Sequence, residues 1–391
     1  MFLIARSSSQ RALRFRYHVG RYFSGVEKIG AGEDKVKPTN FSKIHGPGTD
    51  LHKNITELSN FSGKPVEPQH QNSPEDLGSA TSYNKLGLEY NDQGDYPKAL
   101  KYFEKSLAIY LRIFGAEHPN LVPCYNNLGS VCYSRGNYSR ALEYYEKCLA
   151  IRLKPFGAED PSVATSYNDI GNVYNNQGDY SRAIEYYEKC LAIRLRTLGA
   201  EDPNVATSYN NLGTVYDILG DYPKALEYHE RCLAINLKTL GEDHPNVALS
   251  YNNLGLVYNR QGDHPKAIEY YEKCLPIYLK TSGEEHPNVA NSYNNLGLAY
   301  DNQGDYPKAI EHYEKCLAIY LKTLGEEHPS VANSYMNLGF VYGNQGDYPK
   351  ALEYHEKCLA IRLKTFGAEH PRTKKSQELV DSFRNEIKRP I

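Results

Sequence analysis

Seven blocks of 42 residues follow one another without insertion or deletion, and that regularity leaves this chain little choice of fold. A glycine preceded by Leu or Ile marks each block, at Gly87, Gly129, Gly171, Gly213, Gly255, Gly297 and Gly339. Such a strict period is the mark of a repeat array, in which no unit can bury its apolar face alone and neighbours stack to do it.

The fourth block, residues 204–245, shows what each unit is. Tyr209, Leu212, Gly213 and Tyr216 fall at i, i+3, i+4 and i+7, one face of an amphipathic helix. Gly220-Asp221 interrupts it, with Asp221 placed to cap a second helix and Pro223 in the first turn, where its missing N–H costs nothing. Ala225, Tyr228, His229, Cys232, Leu233 and Ile235 continue at helical spacing. Small residues at Gly213, Ala225 and Cys232 let the two helices cross closely.

Tyr209, Leu212-Gly213, Tyr216, Gly220, Tyr222, Ala225, His229 and Cys232 resemble the signature of the tetratricopeptide repeat. Tyr stands for its usual Trp, and Cys for its usual Ala. The common form has 34 residues; the longer unit here, with its Asn-Asn-Leu and His-Pro elements, is similar to the repeats of kinesin light chains. The resemblance implies an all-α fold, a right-handed superhelical solenoid of antiparallel helix pairs. It also implies a scaffold that binds a protein or peptide in its concave groove. A kinesin light chain-like cargo adaptor is one alternative, although residues 1–72 lack the heptads of its coiled coil. A structural subunit assembled through the outer face is another.

Four segments are expected. Residues 1–26 carry Arg6, Arg11, Arg14, Arg16 and Arg21, several Ser and no acid, the composition of a mitochondrial transit peptide; Arg21-Tyr22-Phe23-Ser24 resembles a presequence cleavage site. A basic tail on a cytoplasmic protein is the alternative. Residues 27–72 are polar and Gly/Pro-rich without apolar period, a disordered linker. The repeats occupy 73–371, opening at Ser73-Pro74, and 372–391 form a capping helix with Leu379, Val380, Phe383 and Ile387 on one face.

Recurrence also decides the chemistry. A net charge of −2 without a recurring basic stripe argues against nucleic acid, and no apolar run is long enough to insert in a membrane. Cys148, Cys190, Cys232, Cys274, Cys316 and Cys358 share one packing slot, too far apart for disulfides, and fit a reduced compartment. His118, Asp160, Asp202, His244, His286 and His328 precede the helix-opening prolines as caps rather than metal ligands. Six Glu–Lys/Arg pairs at i,i+4, Glu143–Lys147 through Glu353–Lys357, read as a solvated face. No phosphate loop, nucleophile elbow or metal motif appears, so neither an enzyme, a cofactor nor a small-molecule substrate is expected.

The binding face follows from helical geometry. Opposite the packed residues of the first helix fall Thr207, Asn211, Thr214 and Ile218. The Asn211 rung repeats at Asn127, Asn253, Asn295 and Asn337, with Lys85 and Asp169 as exceptions. A carboxamide both donates to and accepts from a peptide backbone, and the resemblance implies the same use. The Thr214 rung is Ser130 and Asn172 in earlier blocks but Leu256, Leu298 and Phe340 in later ones. These apolar positions are expected to be exposed for large ligand side chains, with Arg260, one turn further along, favouring an acidic flank in the ligand.

Overall fold

The computed structural model describes residues 74–388, so the expected transit peptide, linker and Ser73 cap lie outside the described residues. Within them run fifteen α-helices and no strand. They divide into two compact units, residues 74–239 and 240–388.

The first unit holds α1 Pro74–Asp92, α2 Tyr96–Phe114, α3 Val122–Ser134, α4 Tyr138–Phe156, α5 Pro161–Gln177, α6 Tyr180–Leu198, α7 Pro203–Leu219 and α8 Tyr222–Leu240. The second holds α9 Pro245–Gln261, α10 His264–Ser282, α11 Pro287–Gln303, α12 Tyr306–Leu324, α13 Pro329–Gln345, α14 Tyr348–Phe366 and α15 Pro371–Lys388. Odd-numbered helices up to α13 open the repeats, and even-numbered ones close them.

Local chemistry sets the boundaries. From the second copy on, the residue before the opening proline caps through its side chain: Asp202 Oδ1 accepts from the Asn204 N–H at 2.7 Å, and His286 Nδ1 from Asn288 at 3.1 Å. Gly262 then ends α9 with φ 90°, a left-handed turn that only glycine adopts freely, and Asp263 caps α10 by accepting from Lys266. Copy two departs from this pattern. Pro123 has no N–H to offer the carbonyl four residues back, so its chain starts with a 3-10 turn, Pro119–Leu121, before α3.

The expected packing faces are buried. Leu212 is fully buried and Ala225, His229, Cys232 and Ile235 nearly so. The predicted ion pairs also form, Glu143–Lys147 at 2.8 Å and Glu311–Lys315 at 2.7 Å among them. The high tyrosine count has a structural use. Tyr228 stacks between Tyr209 and Tyr216, with ring centroids 5.9 and 5.6 Å away. Tyr270 repeats this between Tyr251 and Tyr258, and His312 takes the central place between Tyr293 and Tyr300. Lys or Arg ammonium and guanidinium groups lie over the outer rings, as Lys224 over Tyr216 at 4.6 Å.

Each array end is finished differently. Ser79 and Glu89 are exposed on α1, where later copies bury Val205 and Val215. On α15, Leu379, Val380 and Phe383 are buried as expected, and Phe383 stacks on His355 at 5.0 Å. Ile387 does not join them; it is 42% exposed.

Candidate functional site

The asparagine rung is a bonded ladder. In the first unit the Asn127 Nδ2 donates to Asn84 Oδ1 at 2.8 Å, and Asn211 to Asn168 at 2.9 Å. In the second, Asn295 donates to Asn252 and Asn337 to Asn294, each at 2.8 Å. Each acceptor is the first residue of the Asn-Asn pair one copy earlier, or its equivalent. The donors are half-buried, as is Asn253. An amide offers two N–H groups and two lone pairs, and this bond uses one of those four positions on each donor.

A second ladder runs about two turns further along. Asn302 donates to Asn259 at 3.2 Å, Asn344 to Asp301 at 3.1 Å and Asn176 to the Tyr133 hydroxyl at 2.5 Å. Ile218 holds the donor place in copy four, 42% exposed, and the buried Asn175 Oδ1 lacks a partner. Arg260, in the equivalent place of copy five, is exposed.

The apolar rungs require a correction. Leu256 and Leu298 are half-buried and pack on the second unit's core. Phe340, expected to face a ligand, is only 9% exposed. It packs with Leu379 of α15 and Met336, and meets the His355 ring edge-on at 5.0 Å. After copy seven comes α15, whose Leu379 covers the Phe340 ring. A large apolar group there belongs to the end seal.

Sequence reasoning missed the side chains that second helices send to the next first helix. Arg194, 8% exposed, donates to the Asn204 carbonyl and the Ser208 hydroxyl, each at 2.9 Å. Arg152 reaches Ser166 at 2.6 Å and Arg362 reaches Ser376 at 2.8 Å, whereas the Tyr320 hydroxyl turns back to the first helix of its own copy and donates to Asn291 at 2.7 Å. The available signal was a single slot two residues after the Leu-Ala or Leu-Pro pair that holds Arg152, Arg194 and Arg362, Tyr110, Tyr278 and Tyr320, or Asn236, while the residues around it barely change. Four copies also bring the recurrent cysteine within 3.6–3.7 Å of a serine on the following helix, as Cys190 to Ser208.

The recurrent thiols are not activated as nucleophiles. Burial pushes the Cys148, Cys274 and Cys316 thiols up to about 12, so they stay protonated. None of the eight cysteines is in a disulfide, and all are buried. Among the described residues no group of three His, Cys, Asp or Glu is placed to hold a metal ion, and no helix is long and apolar enough to cross a membrane.

The tetratricopeptide repeat family profile matches residues 78–154, 162–238, 218–280, 246–322, 288–364 and 330–379. Among solved structures, a Podosopora anserina protein with nearly identical TPR-like repeats of the kinesin light chain kind is 34% identical; the match covers 53% of this chain and 99% of that one, with a TM-score of 0.48. BtubC (BKLC) from P. vanneervenii is 28% identical over 60% of this chain and 91% of its own, with a TM-score of 0.50. RapI in its apo form shares the fold at 18% identity and a TM-score of 0.56, over 73% of this chain and 98% of its own. No curated protein matches. With the profile matching most of the chain and each repeat folded as an antiparallel helix pair on a 42-residue period, this chain belongs to the tetratricopeptide repeat family.

Proposed function

We propose that this chain is a non-catalytic adaptor that binds an extended peptide or protein segment along its first helices. The observation that carries this reading is the half-buried amide ladder. Asn127 and Asn211 in one unit, and Asn295 and Asn337 in the other, are held in place by their neighbours. A held amide loses little conformational freedom on binding, which favours recognition of a peptide backbone. Asn253 and Arg260 belong to the same face, with Leu256 and Leu298 offering apolar edges; Phe340 is better read as structural.

The outer face supports assembly less well, because its charged side chains are already engaged in pairs such as Glu143–Lys147 and Glu353–Lys357. The Arg-rich start supports action inside mitochondria; amino-terminal sequencing from the native cell tests this, and an intact Met1 in a cytosolic fraction refutes it.

The binding test is a peptide array probed with the full chain and with Asn295→Ala and Leu298→Ser variants. Loss of captured peptides in variants that keep their helical content supports the groove. Undiminished capture places binding elsewhere.

A further inference from the structure

One junction in the first unit breaks the ladder. In four copies the donor amide sits 43 residues after its acceptor. At the third copy the donor place is held by Asp169, and the residue 43 before it is Asn126. The Asn126 Oδ1 is buried and has no hydrogen-bond partner. An ionised carboxylate only accepts, so in that form Asp169 has no N–H to offer the Asn126 oxygen, where the donor of every other bonded rung supplies one.

The surroundings narrow what fills the gap. Asn168, on the same helix, lies beside the Asp169 carboxyl and favours its charged form. Tyr133 faces it from α3, Tyr145, Cys148 and Arg152 from α4, and Tyr187, Cys190 and Arg194 from α6. Both arginines direct N–H groups to other acceptors, Arg152 to Ser166 and Arg194 to Asn204 and Ser208. Two nearby guanidinium groups repel a metal ion or ammonium from this space. A proton is small enough to sit between the two oxygens, and it leaves the site neutral.

We propose that Asp169 closes this rung as a neutral carboxylic acid, its O–H donating to the Asn126 amide oxygen, and that releasing the proton to solvent opens the rung between copies two and three. The proposal concerns the strength of that junction and requires no bound peptide. Burial raises the carboxyl to about 6 against the pull of Arg152 and Arg194, which puts the transition just below neutral pH. Because the folded carboxyl holds its proton more tightly than an unfolded one, stability from this group rises as pH falls from about 6 toward 4.

The test is urea unfolding of the full chain and of Asp169→Asn, which restores the ladder residue of the other copies, at pH 7.5 and 5.0. Asp169→Asn should be the more stable at pH 7.5, and its advantage in folding equilibrium constant should shrink about tenfold by pH 5.0. The histidines are common to both chains and cancel in the comparison. An advantage of equal size at both pH values, or a variant weaker than the parent at pH 7.5, overturns the proposal. Infrared difference spectra supply a second readout. A protonated-carboxyl C=O band should appear in the native chain between pH 7.5 and 5.0 and be missing from Asp169→Asn; its absence from the native chain overturns the proposal as well.

Discussion

Gly213 lies directly against the ring of His229, so close that a β-carbon on the glycine would stand 2.8 Å from the imidazole. The same contact recurs between Gly255 and Tyr271 at 2.6 Å and between Gly297 and Tyr313 at 2.7 Å. His229 is almost fully buried and cannot swing away. Gly213→Ala should therefore destabilise the chain, because overpacking at about 1–3 kcal/mol exceeds the helix-propensity gain of about 1 kcal/mol. Gly78→Ala, with nothing within 4 Å, should instead be neutral or stabilising. Chemical denaturation of both variants checks the contrast.

Acid should weaken both units through their buried imidazoles. Burial pulls His229 down to about 4 and His355 to about 3. Each folded imidazole stays neutral where an unfolded one takes a proton, so stability present above about pH 6.5 is lost as pH falls below that value. His229→Phe, the residue type that Phe103 provides in copy one, should remove its share of the loss, about 2 kcal/mol between pH 7 and 5. Denaturation midpoints of parent and variant at the two pH values measure it. An unchanged pH dependence would refute the assignment.

Ile218→Asn should stabilise the first unit. It offers a donor to the orphaned Asn175 Oδ1, in the manner of Asn302 to Asn259, and removes an exposed apolar group. A satisfied hydrogen bond at such a place is worth about 0.5–1.5 kcal/mol. A thermal melt that shifts down or stays put would show that the second ladder does not extend through copy four.

Phe340→Ala should cost about 3–5 kcal/mol, the range for emptying a buried aromatic site. It should also loosen α15, whose Leu379 lies against the ring. Hydrogen exchange along residues 371–388 reports the loosening directly. A variant that loses peptide capture while α15 stays fully protected would return Phe340 to the binding face.

The sequence by itself determined the helix pairs, their boundaries and their packing stripes. Those properties are local and periodic: the Gly220-Asp221 break, the His and Asp caps and the Tyr209–Leu212–Gly213–Tyr216 face each follow from dihedral preference and spacing within one block. Repetition strengthened every one of them. The tertiary structure alone decided what the face opposite that stripe does, because its partners lie 43 residues away on a neighbouring copy. Asn211 was legible as a groove amide, but its bond to Asn168 was not. The exposure expected of Phe340 failed for the same reason, since Leu379, which covers it, comes from the following helix and stands 42 residues after Asn337, where the repeats carry their ladder asparagine. Burial is a property of the assembled stack, and a hydrophobic rung looks the same in sequence whether it meets a ligand or a capping helix.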